Sequence, residues 1–472
     1  MNGQNPRQIA AIVLSQRGSG TGVPPVCFNL KLDAETRNER AGRSCYYIED
    51  LLERALADAQ LSPVDRGLCQ EIVYGVVRWQ STLDWLIARK TNGREQKPAL
   101  QNLLRLGLYQ IFWLDRIPDH AAVHETVELA KQNGFGPQAG FVNAILRGYL
   151  READETKKIL AELKKSNPAI GFSHPQWLVE KWQKRFGTKK TLQLLDWNNT
   201  PPKTFARVNS LKADAGKLVE RWRVEDVEYD FDQHDWLKEK LAFTAFELKS
   251  HPPLASLESF QDGWFYIQDP STLLAPKLLG AQPGETILDL CAAPGGKTTF
   301  MAQLMNNEGK IVACDISEDR LKLIRENCAR LGVTCVEFCR SRGNETHSEK
   351  LEISQRLLTS SPTIFDRVLV DAPCSNTGVM RRRVDLRWRI SPEEILRLQQ
   401  TQFDLLKLAA TKLKPGGVLI YSTCSLEPEE NSEVVKEFLC AHENFKLESE
   451  RELLPFEDNV DGAYVARLKH SS

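Results

Sequence analysis

Two thiols stand where apolar runs end. Arg367-Val368-Leu369-Val370 leads into Asp371-Ala372-Pro373-Cys374, and Val418-Leu419-Ile420-Tyr421-Ser422-Thr423 leads into Cys424. Each run reads as a buried strand, so one strand closes on an acid and a nearby thiol and the other on a second thiol. A single cysteine of this kind would be read as a small buried hydrophobe. Two at strand ends, with an acid beside the first, point to covalent chemistry, because cysteine is intrinsically a very good nucleophile. A third stretch is built for a ligand. Asp289-Leu290-Cys291-Ala292-Ala293-Pro294-Gly295-Gly296-Lys297-Thr298 joins an apolar strand to a helix, and its glycines and proline let the backbone approach a bound molecule at a helix N-terminus. A phosphate-binding loop of the form Gly-x-x-x-x-Gly-Lys-Ser/Thr would need a glycine where Cys291 stands. Asp315 closes the next strand, where a Rossmann-type sheet uses an acid to accept from ribose hydroxyls, although Asp315 or Ser317 could also cap the helix that follows. Together the turn and Asp315 indicate a nucleoside ligand.

These residues need a sheet that brings strand ends together. From Gly263 onward the pattern alternates strands, at Thr286–Leu290, Lys310–Asp315, Thr334–Phe338, Arg367–Asp371 and Val418–Thr423, with helices at Thr298–Met305, Glu318–Leu331 and Pro392–Leu413. This predicts an α/β, Rossmann-like, mostly parallel doubly wound sheet with ligands at the carboxyl ends of its strands. A chain of 472 residues is long for one core, and two further regions precede the sheet. Residues 1–150 read as all-helical, with an opening helix Pro6–Gln16, a Gly/Pro-rich insertion Gly18–Arg43, and helical periodicity from Tyr46, with helix starts at Asp65 and Asp119–His124. Residues 151–262 hold a charged helix, Glu152–Lys165, and a small α/β module with a strand at Phe205–Asn209. The sheet domain occupies 263–472.

Composition narrows the function classes. A hydrophobic share of 42% with 26% charged residues suits a soluble globular protein, and no apolar run is long enough to span a bilayer. The net charge of -1 leaves no global footprint for nucleic acid. Any basic surface must be local, and Arg381-Arg382-Arg383 with Arg387, Trp388 and Arg389 reads as one, set for phosphate contact shortly after Cys374. The eleven cysteines show no metal-ligand spacing, so no metal is expected, and thiols in a reducing cytoplasm fit better than disulfides.

The motifs together resemble the RNA cytosine-5 methyltransferase family. The resemblance rests on Cys291-Ala292-Ala293-Pro294-Gly295-Gly296-Lys297, Asp371-Ala372-Pro373-Cys374-Ser375, Ser422-Thr423-Cys424-Ser425, Gln268-Asp269-Pro270-Ser271, Arg207-Val208-Asn209 and Asp461-Gly462-Ala463-Tyr464. In the helical region Gln70 to Arg78, Leu104 to Gln110 and Ile117 to Ala122 look like a NusB-type RNA-binding domain, an arrangement similar to members that modify small-subunit ribosomal RNA. The resemblance implies transfer of a methyl group from S-adenosylmethionine to C5 of one cytosine in 16S ribosomal RNA. It implies Cys424 as the nucleophile at C6, Cys374 in product release and Asp371 on the cytosine edge. It also implies Cys291, Ala292, Ala293, Pro294, Gly295, Gly296, Lys297, Asp315 and Asp371 as the cofactor site. The expected partner is small-subunit ribosomal RNA, with no membrane, no metal and a monomeric state.

Three positions depart from the family pattern. Arg340 or Ser341 stands where an acid usually meets the adenine amine, Asn376 replaces a glycine, and Arg383-Val384 replaces a polar residue and proline. The missing acid motivates an alternative reading, a non-catalytic RNA-binding or assembly protein that kept the fold. A nucleoside triphosphatase is the other alternative, and Cys291 argues against it.

Overall fold

The computed structural model describes residues 5–17, 47–231, 234, 245–342, 352–353 and 365–471. The insertion Gly18–Arg43 lies outside them, as does most of the polar loop Gly343–Pro362, and of Arg340 to Arg342 only the backbone is described. The chain divides into two compact units. One comprises Met1–Thr200 with Met380–Arg389, the other Pro201–Val379 with Ile390–Ser472.

The first unit is helical throughout its described residues, with its longer helices at Pro6–Gln16, Ile48–Ala57, Pro63–Arg78, Gln80–Thr91, Pro98–Trp113, Asp119–Ala130, Ala139–Arg151, Ala153–Ser166 and Gln176–Trp197. Local chemistry sets the starts. Asn5 and Ser62 each accept a backbone N–H of the first turn, with proline following as the first helical residue. Asp65, expected to begin its helix, instead lies inside the first turn and accepts the Ser62 hydroxyl at 2.7 Å. Ile72, Val76, Leu83, Leu104, Leu108 and Leu146 meet in the core, and the Tyr109 hydroxyl donates to Glu71 at 2.5 Å.

The distant segment Met380–Arg389 completes this unit. Val384 joins the core, the Asp385 carboxylate accepts the Ile48 N–H at 3.1 Å, and the Trp388 indole donates to the Val77 carbonyl at 2.9 Å. Arg387 is fully buried and donates to the carbonyls of Arg78, Ser173 and Asn198 and to the Asn199 side chain. Arg381, also buried, lies 4.0 Å from the Trp197 ring centroid. The expected basic surface is therefore corrected: Arg381 and Arg387 are interior residues, Arg381 against the Trp197 ring and Arg387 as the donor that helix-end and loop carbonyls need. Arg383 stays exposed.

The second unit holds two sheets. The smaller is antiparallel with order β2-β3-β1-β4, from β1 (Thr204–Val208), β2 (Glu228–Phe231), β3 (Ala245–Ser250) and β4 (Phe265–Ile267). The helix Ala215–Val224 buries Trp222 edge-on against Phe246 and Phe265. The larger sheet contains β5 (Thr286–Asp289), β6 (Lys310–Asp315), β7 (Val336–Arg342), β8 (Glu352–Ile353), β9 (Phe365–Asp371), β10 (Leu413–Thr423), β11 (Phe445–Leu453) and β12 (Ala463–His470), in the order β11-β12-β10-β9-β5-β6-β7-β8. Strands β10, β9, β5, β6 and β7 are mutually parallel, while β8, β11 and β12 pair antiparallel. The chain runs outward in both directions from β5 and β9, so their carboxyl ends form the switch point where ligands bind in such sheets.

Candidate active site

The turn after β5 is shaped by backbone constraint. Gly295 takes φ +98°, in the region L side chains avoid, and the Ala293–Pro294 bond is cis. The helix Gly296–Leu304 starts directly after it. Asp315, at the end of the adjacent β6, accepts the N–H of Ala293 at 3.2 Å and of Ser317 at 3.3 Å. Ser317 in turn caps the helix Glu318–Leu331. Of the two residues offered as the helix cap it is Ser317 that starts the helix, while Asp315 braces the turn. Burial and the surrounding acids Asp371, Asp289 and Asp315 push the Cys291 thiol well up.

Asp289 sits beneath this turn, fully buried. Thr298 donates to its Oδ2 at 2.7 Å, and its Oδ1 has no hydrogen-bond partner. Burial raises its pKa to about 7. An unpartnered oxygen on a buried acid is costly.

At the ends of β9 and β10 the two cysteines meet. Cys374 Sγ and Cys424 Sγ lie 3.2 Å apart as free thiols, and the Cys424 N–H points at Cys374 Sγ at 3.3 Å. The thiol hydrogen bond with Cys424, followed by burial, holds Cys374 well above the ordinary cysteine range. Asn376 explains one departure from the family pattern. Its φ of +57° is a left-handed conformation in which asparagine is the best-tolerated residue after glycine. Its side-chain N–H donates to the Cys374 carbonyl at 2.7 Å, which turns its oxygen toward Cys424 Sγ at 2.9 Å. Gly378 closes the loop: a Cβ there would lie 2.6 Å from the Gly462 carbonyl and 2.8 Å from that of Cys424. The Asp461-Gly462-Ala463-Tyr464 motif therefore supplies a backbone platform for the Cys374 loop.

Asp371 links the two halves of the site. The Lys297 ammonium donates to its Oδ2 at 2.5 Å and the Ser422 hydroxyl to its Oδ1 at 2.7 Å. For Lys297, burial alone would lower its pKa, but attraction to Asp371 wins and the net shift is upward. Arg207 reaches in from β1. Fully buried, it donates to Gln268 Oε1 at 2.6 Å, the Gly296 carbonyl at 2.7 Å and Thr299 Oγ1 at 3.0 Å. Asn209 donates to the carbonyls of Gly263 and Leu331. Arg207, with Gln268 as its acceptor, thus holds the start of the helix after the turn, while Asn209 ties the loops at Gly263 and Leu331.

Sequence reasoning assigned no role to Asp289, Arg207, Ser422 or Glu430. Asp289 carried a signal, an acid ending an apolar strand just before the glycine turn. Glu430 carried none that separates it from Glu427 and Glu429 beside it. In the parallel register Arg340 of β7 stands opposite Asp315. No group of acids, histidines and cysteines able to hold a metal occurs among the described residues.

A Rossmann-like sheet with a glycine-rich turn after its first strand and paired thiols at its switch point defines a methyltransferase of the paired-cysteine type. The 16S rRNA methyltransferase RsmB/F family matches residues 276–469, the NusB family 27–151, and a ferredoxin-like domain of RsmF/B-like methyltransferases 174–243. The chain is 36% identical over 409 residues to a probable ribosomal RNA small subunit methyltransferase B of Bacillus subtilis, covering 85% of this chain and 86% of the relative. It is 35% identical to ribosomal RNA small subunit methyltransferase B of Vibrio vulnificus, covering 88% and 94%. The solved structure of a Pyrococcus horikoshii methyltransferase homologue is similar with a TM-score of 0.53 at 29% identity, over 64% of this chain and 97% of that one. PH0851 shares the fold over 98% of both chains, with a TM-score of 0.71 at 23% identity. The chain belongs to the 16S rRNA methyltransferase RsmB/F family. Membership makes it an S-adenosylmethionine-dependent rRNA methyltransferase and decides against the triphosphatase and the non-catalytic readings.

Proposed function

We propose that the protein methylates C5 of one cytosine in 16S ribosomal RNA, with Cys424 as the nucleophile, Cys374 assisting release and Asp371 holding the cytosine edge. The observation that carries this reading is the pair of thiols 3.2 Å apart at the ends of neighbouring parallel strands, beside an acid clamped by Lys297 and Ser422. Cytosine C5 is a poor nucleophile. Addition of the Cys424 thiolate to C6 makes the ring enamine-like and pushes electron density onto C5, splitting one hard step into easier ones. Asp371 stabilises the charge that develops on the N3 and N4 edge, and its fixed orientation costs no reorganisation during the step. Once C5 carries the methyl group it must lose its proton before Cys424 can leave, and Cys374 stands close enough to Cys424 to assist. The division of labour between the thiols follows the family resemblance.

The residues present fit the cofactor. The orphaned Asp289 oxygen suits an ammonium group, Asp315 suits ribose hydroxyls, and the Cys291–Lys297 turn, free of side-chain bulk at Gly295 and Gly296, suits close backbone approach. When bound, S-adenosylmethionine supplies the electrophilic methyl group. The target base must leave its stack for C5 and C6 to be reached, so an unpaired or flipped cytosine is the substrate. No described helix is long and apolar enough to cross a membrane. We take the enzyme as a cytoplasmic monomer that needs no metal.

The thiols have opposite mutant phenotypes. Cys424→Ala is expected to be inactive, with no covalent RNA complex. Cys374→Ala should attack and methylate, then stall with RNA attached as a slow band on a denaturing gel. That band in Cys424→Ala would reverse the assignment, and full turnover by Cys424→Ala would sink the covalent mechanism. Tritiated methyl transfer to unmodified 16S rRNA, with mapping of the labelled base, tests the substrate.

A further inference from the structure

Glu430 lies in the turn Pro428–Glu430 that follows β10, with no solvent exposure. Its carboxylate receives four donors. At Oε1 these are the Ser375 N–H at 2.8 Å and the Gln402 side-chain N–H at 3.1 Å. At Oε2 they are the hydroxyls of Ser375 and Ser425, the latter at 2.5 Å. Its main-chain carbonyl accepts the Tyr421 hydroxyl at 2.5 Å. Ser375 follows Cys374 and Ser425 follows Cys424, and the two serine hydroxyls lie 3.0 Å from each other. A carboxylate has about four acceptor sites and no donor, so every site is used, and all of them hold the residues next to the thiols or the Gln402 that braces Pro373 at 2.9 Å.

We propose that Glu430 is a positioning residue that sets the separation of the two thiols by gripping the serine that follows each of them. It touches neither sulfur. Its consequence for turnover rests on the reading above, in which attack needs one thiol and release needs both. Loss of the grip therefore slows release more than attack. Glutamine keeps one acceptor oxygen and brings two donors, which the serine hydroxyls can accept by rotating, so Glu430→Gln is the mild variant. Alanine leaves the Ser375 N–H buried without a partner and is the severe one.

Phenylarsine oxide reads the spacing without any turnover, because its arsenic is captured by two adjacent thiols: two S–H bonds and the As–O bond break, two As–S bonds form, and water leaves. The full-length protein should take up one arsenical bridging the peptides of Cys374 and Cys424, mapped by mass spectrometry, and Cys374→Ala and Cys424→Ala should lose it. Glu430→Ala is expected to slow this capture at least tenfold, with Glu430→Gln in between and S-adenosylmethionine affinity by calorimetry unchanged in both. In single turnover with unmodified 16S rRNA, Glu430→Gln should form the covalent complex at near the parent rate and release it several-fold more slowly. Unchanged capture in Glu430→Ala overturns the proposal; should that variant not fold, unchanged capture together with unchanged release in Glu430→Gln does so. Slowed capture with no covalent RNA complex in any variant, Cys374→Ala included, leaves the positioning role standing and removes the covalent mechanism instead.

Discussion

Asn376 carries two burdens at one position, a left-handed backbone and a hydrogen bond to each side of the thiol pair. The backbone burden can be separated by substitution. Asn376→Gly relieves it and loses only the side-chain bonds, whereas Asn376→Ala loses the same bonds and keeps the Cβ that this conformation disfavours by about 1–2 kcal/mol. Urea unfolding should rank the alanine variant below the glycine variant. Asp289 predicts a pH effect. Its folded pKa of about 7 lies above the ordinary carboxylate value, so the folded state keeps a proton that the unfolded chain has already released. The stability this contributes is complete below about pH 4 and is lost as pH rises through 7. Asp289→Asn, neutral throughout, removes that dependence. Without cofactor, the stability of the parent protein relative to this variant should fall on the order of 3–4 kcal/mol between pH 4 and pH 7, measured by urea unfolding at each pH. The cysteines, Asp371 and the turn were legible because their residue types are rare at strand ends. The role of Arg207, which the sequence offered only as part of a motif, and Glu430 altogether were not, because an arginine in a strand and a glutamate in an acidic turn are ordinary until tertiary contacts bury them.

At the scale of elements, legibility followed burial pattern. β6 and the helix Glu318–Leu331 match their expected bounds, since apolar residues, a serine cap and a closing glycine agree there. β7 begins and ends later than expected, because its extent is set by pairing with β6 from Val336 to Arg340, which local sequence does not contain. The helix Pro392–Ala410 stops before Leu413, which fits the helical apolar spacing but instead opens β10. β11 was not anticipated. Most of its side chains are exposed, so it lacks the alternation that marks a half-buried strand. β1 shows what an element can contribute beyond its own sheet, because its Arg207 reaches the first residue of the helix that follows the glycine turn. Arg207→Met leaves Gln268, Thr299 and the Gly296 carbonyl without their donor. Hydrogen bonds to a charged group are worth more than neutral ones, so stability should drop by roughly 2–4 kcal/mol. S-adenosylmethionine affinity by calorimetry should fall with it, the sign that the turn and not only the fold depends on this contact.

For the whole molecule, sequence order is a poor guide to which residues belong together. Periodicity revealed an all-helical region and an α/β region, but it could not reveal that ten residues far down the chain pack into the first unit. Such membership is written in long-range contacts, the class of information that local patterns lack. Arg387 is the strongest test. It gives donors to three carbonyls and to the Asn199 side chain, and Arg387→Met leaves them unsatisfied in the interior. Limited proteolysis and hydrogen exchange should show the loss within Gln80–Thr91 and Gln176–Trp197, with the sheet strands β5, β6 and β9 protected as before.

The packing of residues 380–389 into the helical unit also imposes an order on biosynthesis. A nascent chain usually finishes its N-terminal part first, but here residues 380–389 must leave the ribosome before Ile48, Val77 and Ser173 can receive their partners. For most of translation the helical unit is an open structure waiting for its own last piece. The same fact governs gene architecture: a recombination or truncation that cuts after Thr200 would separate that piece from the helices it locks, so the two halves of this enzyme cannot be exchanged between proteins as independent cassettes.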